Sequence, residues 1–208
     1  MNTCQAYNIW SQQYDTNDNK TRDLEALALK ATLQNITVEN CLEVGCGTGK
    51  NTQWLITKAK KITAVDLSEE MLAKANEKIK HDGVEFIQAN INDSWVFTSK
   101  KYSLVTFSLV LEHIENLDHI FNEVSECLAT DGHIYIGELH PFKQYTGSKA
   151  RFTTAAGTQI VACFTHHISE FTQIAKKYGF TIVEINEYFD DGDTTALPRI
   201  LTLLLQKI

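Results

Sequence analysis

The stretch Leu42-Glu43-Val44-Gly45-Cys46-Gly47-Thr48-Gly49 decides how this chain is read. It joins an apolar run that reads as a strand, Cys41 to Gly45, to a segment that reads as a helix, Asn51 to Lys60. Glycines at a strand-to-helix turn let the backbone reverse sharply and let a ligand come close to it. The C-terminal end of the first strand is also where open α/β sheets bind ligands. The spacing here is G-x-G-x-G. A dinucleotide fingerprint would need its third glycine at position 50, which is Lys50. A phosphate P-loop would need that lysine followed by Ser or Thr, whereas Asn51 follows it. Asp66 closes the second strand, 17 residues past Gly49. A carboxylate there accepts hydrogen bonds from both ribose hydroxyls of an adenosine-type ligand. A loop glycine cluster with a helix-capping aspartate is the plainer alternative.

Outward from the loop, short apolar runs alternate with amphipathic segments. Residues 20 to 36 place apolar side chains at helical spacing. Ile62 to Leu67 reads as a strand, and Ser68 to Lys80 as a helix capped by Ser68. Val84 to Ala89 and Tyr102 to Leu109 read as strands, Glu115 to Ala129 as a helix. An Asp131-Gly132 turn leads into the strand His133 to Leu139. Strands separated by helices imply right-handed crossovers and a parallel sheet. Residues 141 to 166 break the pattern with polar, glycine-dotted sequence. Ser169 to Tyr178 is a helix closed by Gly179. Thr181 to Phe189 and Arg199 to Lys207 then form two strands with only a turn between them, an antiparallel hairpin at the sheet edge.

The 208 residues suit one domain, with neither an internal linker nor a repeat. A net charge of −7 repels phosphate backbones and argues against a nucleic-acid partner. Cys4, Cys41, Cys46, Cys127 and Cys163 have no metal-binding spacing. They read as buried reduced thiols, which suits a cytoplasmic location. The N-terminus has no signal-peptide pattern, and no apolar run is long enough to span a bilayer.

L-E-V-G-C-G-T-G followed by V-D-L-S-E-E-M-L resembles class I S-adenosylmethionine-dependent methyltransferases, especially the small "type 11" group. The likeness extends over most of residues 7 to 207. It implies an α/β three-layer sandwich around a seven-stranded, mostly parallel sheet with an antiparallel last strand. It also implies S-adenosylmethionine as cofactor and a small-molecule methyl acceptor. By the resemblance, Gly45, Cys46 and Gly47 contact the methionine moiety through their backbone, and Glu43 supports the network beneath its amino group. Asp66 binds the ribose, while Leu67 and Met71 pack near the adenine. Asn90, followed by Ile91, stands where the family places an Asp that accepts from the adenine amino group. Its amide oxygen still accepts such a bond; a plain turn residue is the alternative. Ser108 and Leu109 border the methionine moiety. Tyr7-Asn8-Ile9-Trp10-Ser11-Gln12-Gln13-Tyr14-Asp15 resembles the family's lid element, so residues 1 to 36 form an N-terminal helical lid and Tyr14 reaches the cofactor's carboxylate. Aromatic packing is the other reading of Tyr14.

Methyl transfer is an in-line displacement at an activated sulfonium, so the protein mainly aligns a nucleophile. A general base is needed only where that nucleophile carries a proton at neutral pH. His113, His140 and His166 map to the C-terminal edge of the sheet and are the candidates, set against packing or helix-start roles for each. A metal site is not expected. Residues 141 to 166 are the expected substrate cover, with Phe142, Lys143, Tyr145, Lys149, Arg151 and Phe152 offering aromatics and cations in an acidic chain. A solvated hairpin insertion is the plainer reading. Two other functions fit the same motifs: a non-catalytic cofactor-binding regulator, and a methyltransferase acting on a protein.

Overall fold

A computed structural model describes residues 2–154 and 157–208. Ala155 and Ala156, inside the expected cover, lie outside the described residues. The helices are α1 (Thr3–Trp10), α2 (Lys20–Leu33), α3 (Thr52–Leu55), α4 (Glu69–Lys78), α5 (Leu117–Cys127), α6 (Pro141–Tyr145) and α7 (Ile168–Lys177). The strands are β1 (Asn40–Val44), β2 (Lys61–Asp66), β3 (Val84–Gln88), β4 (Tyr102–Ser108), β5 (Leu128–Leu139), β6 (Arg151–Thr154), β7 (Gly157–Ile160), β8 (Phe180–Tyr188) and β9 (Ile200–Lys207). Helix starts are set by side-chain caps. Asn19 accepts from the Arg22 amide at 3.0 Å, and Ser68 from the Met71 amide at 3.1 Å.

Seven strands form one sheet in the order β3-β2-β1-β4-β5-β9-β8, with β9 antiparallel to both its neighbours and the other pairings parallel. This is the expected class I methyltransferase fold. Adjacent residues such as Leu104 and Val105 point to opposite faces, so the sheet carries two cores. One packs against Leu29 and Leu33 of α2, Leu55 of α3 and Leu72 of α4. The other packs against Ile120 and Phe121 of α5 and Phe171 of α7. A third cluster joins Ala6 and Trp10 of α1 to Met71, Phe152 and Val161. It ties the N-terminal segment to the β6–β7 hairpin, with Trp10 stacked on Phe152 at 5.1 Å between centroids.

Three local expectations shift. The helix expected over Asn51 to Lys60 closes after Leu55 and continues as turns. The fifth strand begins at Leu128 rather than His133, carrying the Asp131 turn (φ 59°) within it. Of the five thiols, Cys41, Cys46 and Cys127 are buried, but Cys4 and Cys163 are only half-buried. Among the described residues no helix is long and apolar enough to cross a membrane. The strand order reverses between β1 and β4, which opens a crevice beyond their C-terminal ends.

Candidate functional site

Two loops border that crevice. After β1, the Gly45 and Cys46 amides both donate to the Val65 carbonyl, at 2.7 and 3.0 Å. Gly45 (φ 73°) has no room for a side chain: a Cβ would meet Val110 Cγ2 at 2.2 Å. Gly47 (φ 54°) faces open space. Its amide donates to Asp66 Oδ2 at 2.8 Å, while the Ser68 amide donates to Oδ1 at 2.8 Å. Burial raises the Asp66 carboxyl above its usual range and these backbone donors oppose that. Each oxygen keeps a lone pair for a ligand.

After β4, Leu109 adopts a left-handed conformation (φ 57°) that branched and bulky side chains rarely take, and its amide donates to the Gly137 carbonyl at 2.8 Å. Glu138 of β5 holds the following turn. It accepts the Val110, Leu111 and Glu112 amides at 3.0, 2.8 and 3.3 Å. Burial pushes its carboxyl up to about 8. Reading the sequence missed Glu138, although an acid inside the apolar run His133 to Leu139 was the visible signal.

Three adjoining cavities meet here, and Tyr14 and Leu109 line all of them. The first, about 120 Å³, is lined by Gly45, Gly47, Asp66, Leu67 and Met71, by Asn90, Ile91 and Ser108, and by Tyr7 and His113. The Asn90 oxygen accepts from the Asn92 amide and side chain, both at 3.2 Å, so it is already engaged in a turn. The second, about 40 Å³, is lined by Glu43, Cys46, Arg22 and Glu25. Arg22 donates to the Tyr14 carbonyl and, at 2.7 Å, to that of Asn17. Facing it, Glu43 accepts from Thr52 Oγ1 at 2.6 Å, and Glu25 from the Tyr135 hydroxyl at 3.0 Å. Burial pushes Glu43 up to about 8 and raises Glu25. A cation opposite two acids is the complement of an α-amino acid's carboxylate and ammonium. Arg22 and Glu25 were not singled out in the sequence; they sit three apart on one face of α2, a spacing that carries no function by itself. The third cavity, about 300 Å³, lies between α1, the start of α2 and residues 148–151.

Among the described residues, three buried side-chain nitrogen or oxygen atoms lack a hydrogen-bond partner: Arg22 Nε, Trp10 Nε1 and Glu112 Oε2. Arg22 lines the second cavity, Trp10 and Glu112 the third. Buried polar groups are normally satisfied, so these three atoms are the candidates for hydrogen bonds to a ligand.

The three histidines do not converge. His113 alone lines the first cavity. His140 is fully buried; its Nδ1 accepts from the Phe142 amide at 3.1 Å and its Nε2 meets Glu187 at 2.9 Å. It caps α6 rather than facing a ligand. His166 is buried too, with Nδ1 3.1 Å from Glu170 and Nε2 2.7 Å from the Ile114 carbonyl. It tethers the start of α7 to the turn after β4. Neither lines the three cavities. The cover residues also divide. Lys149 and Arg151 line the third cavity, and Phe152 packs on Trp10. Phe142 packs on His140, Lys143 lies 3.9 Å from Asp190, and the Tyr145 hydroxyl lies 2.6 Å from His167. Glu112, His113 and Cys163 bring ligand atoms within 4.8 Å of one another, but both His113 nitrogens already have partners in Tyr7 and Ala162.

Residues 42–136, which carry both the glycine loop and Asp66, match a family model described as a methyltransferase domain. The chain carries a methyltransferase domain over these residues and is similar to class I S-adenosylmethionine-dependent methyltransferases. Among curated relatives, an uncharacterized methyltransferase of Emericella nidulans is 25% identical over 228 residues, covering 89% of this chain and 78% of its own. A ubiquinone biosynthesis O-methyltransferase of Coxiella burnetii is 26% identical over 176 residues, covering 78% and 73%. A solved structure of DhpI with S-adenosylhomocysteine superposes with a TM-score of 0.78 over 98% of this chain and 94% of that one, at 22% identity. The cofactor is S-adenosylmethionine, and the first two cavities suit it: the Asp66 carboxylate at a sheet end for a ribose, then a cation and two acids for an amino acid.

Proposed function

We propose that this methyltransferase transfers a methyl group to a small molecule held in the third cavity. The observation that carries the reading is the junction at Tyr14 and Leu109. These two residues line the cofactor-shaped cavities and the third cavity together. S-adenosylmethionine supplies a methyl group on a positively charged sulfur, ready for displacement. The protein's part is to hold both reactants in line.

In this reading Asp66 accepts from the ribose hydroxyls, Leu67 and Met71 flank the adenine, and Ile91 and Asn90 border it. Asn90 would turn its amide nitrogen to the ligand, since its oxygen serves Asn92. Arg22 Nε donates to the amino-acid carboxylate, and Glu43 and Glu25 balance the ammonium. Gly45, Cys46, Gly47 and Ser108 shape the walls. Residues 2–36 act as a lid and residues 148–152 as the working part of the cover, closed on each other by the Trp10–Phe152 stack. Should the nucleophile carry a proton, Tyr7 and His113 stand beside the junction to receive it.

The test is a purified-protein assay of S-adenosylhomocysteine release across a panel of small hydroxyl, amine, thiol and acid acceptors. Turnover with members of that panel is expected. Tight S-adenosylhomocysteine binding with no small-molecule turnover, but label transfer into protein, would replace this reading by protein methylation.

A further inference from the structure

Resting on the assignment of the third cavity to the acceptor, we propose that this cavity selects an acceptor bearing an oxyanion group, a carboxylate or a phosphate-type group. That group sits against Lys20, Lys149 and Arg151, away from the atom that is methylated.

The chain carries a net charge of −7, yet the third cavity is lined by Lys20, Lys149, Arg151 and Arg199 against Asp18 and Glu112. Arg199 is already neutralised, with Nε 2.5 Å and Nη2 2.6 Å from the two oxygens of Asp190. Among the described residues Lys20, Lys149 and Arg151 have no ion-pair partner within 4.0 Å. Three unpaired cations around one concavity are a site for an anion.

The backbone adds to this. Asn19, Lys20 and Thr21 line the cavity at the start of α2, a helix of 14 residues. The first amides of a helix have no partner inside it and carry the positive end of its dipole. Asn19 caps only the Arg22 amide, leaving those of Lys20 and Thr21 open. Trp10, on the same cavity, holds a buried Nε1 donor without a hydrogen-bond partner. All these groups donate hydrogen bonds, and an oxyanion accepts several at once.

Lys20, Lys149 and Arg151 line neither cofactor cavity, whereas Tyr14, Leu109 and Tyr7 are shared. The oxyanion therefore anchors the far end of the acceptor. The acid on this cavity that is buried, Glu112, is raised above the usual carboxylate range by burial, which weakens its repulsion.

The test is a ¹⁵N NMR titration of the full chain with sodium phosphate and, separately, sodium acetate at constant ionic strength. Phosphate at millimolar concentration is expected to shift the amides of Asn19 to Thr21 and Ser148 to Arg151. In Lys149→Ala/Arg151→Ala the apparent Kd should rise at least about fivefold. Lys58→Ala, a surface cation elsewhere, should leave it unchanged. Both cover side chains are solvent-facing at the cavity rim, and a melting curve checks the fold; Lys20→Gln provides a second variant on a different element. Acetate matching phosphate would identify a carboxylate acceptor, and phosphate alone a phosphate-type one. Shifts spread equally over Lys58, Lys80 and Lys177, or a double variant that binds phosphate like the parent, would overturn the proposal. Calorimetry with S-adenosylhomocysteine on the same samples separates the two readings: its failure removes the cofactor assignment, while its success with no anion site removes only this inference.

Discussion

The Tyr7 hydroxyl lies 2.7 Å from His113 Nε2, and Nδ1 of the same ring lies 2.8 Å from the Ala162 carbonyl. A carbonyl only accepts, so Nδ1 carries the proton and Nε2 accepts from Tyr7. Burial holds the Tyr7 phenol well above its ordinary pKa, so it stays a donor. A proton leaving the acceptor would reach His113 only through the Tyr7 oxygen. For an acceptor with a protonated nucleophile, Tyr7→Phe and His113→Ala are each expected to lower kcat/KM about a hundredfold. The effects of the two substitutions should not add. Full activity in His113→Ala at neutral pH would leave catalysis to alignment alone.

Arg22→Ala should separate the two halves of the cofactor. Arg22 lines the second cavity and its buried Nε has no hydrogen-bond partner, so S-adenosylhomocysteine affinity should fall by about 2 kcal/mol. Methylthioadenosine, which has no amino-acid carboxylate, should bind the variant as it binds the parent. Equal losses for both ligands in calorimetry would mean that Arg22 acts by holding Tyr14 and Asn17.

Two glycines two residues apart should behave oppositely. Gly45→Ala places a Cβ 2.2 Å from Val110 and demands a positive φ, so the protein should melt well below the parent. Gly47→Ala meets nothing within 4 Å and should cost only about 1 kcal/mol of stability. Its new methyl projects at the wall shared by both cofactor cavities, and S-adenosylhomocysteine binding should weaken at least tenfold. A tight-binding Gly47→Ala would show that the ligand stands off this loop.

Asp66→Ala removes two things at once. It should weaken S-adenosylhomocysteine binding by about 2 kcal/mol or more, through lost bonds to the ribose. It also frees the Gly47 and Ser68 amides, so a lower melting temperature should accompany the loss, unlike a residue that faced ligand alone. Normal affinity in this variant would take Asp66 out of the site.

Glu43 and Glu138 are both raised to about 8 by burial, well above an unfolded glutamate near 4.3. A raised acid holds its proton more tightly in the folded state. Its contribution is fully present below the unfolded pKa and declines as pH rises towards about 8. The unliganded protein should therefore lose melting temperature between about pH 5 and pH 8, and Glu43→Gln should flatten part of that slope. A rising slope over this window would contradict the assignment.

How much could be read in advance differs between elements. The glycine loop, Asp66 and the alternation of strands and helices were legible because turn geometry and hydrophobic period are local properties. The shortened α3 and early start of β5 were not, since tertiary pairing sets where an element ends. His140 and His166 read as general-base candidates because they map to the C-terminal edge of the sheet. Position along the chain does not say where a side chain points, and both turn to Glu187 and Glu170.

The sequence by itself determined the methyltransferase likeness, the sheet and the glycine loop at the sheet edge, because these rest on residues close together in the chain. The tertiary structure alone decided which side chains share a cavity. Arg22 and Glu43 share one cavity, Trp10 and Arg151 another, and the Tyr7 hydroxyl reaches His113 across long stretches of sequence. Such arrangements follow from how the N-terminal helices and the segment around residues 148–152 pack over the sheet edge, and packing of remote segments leaves no periodic trace in the chain.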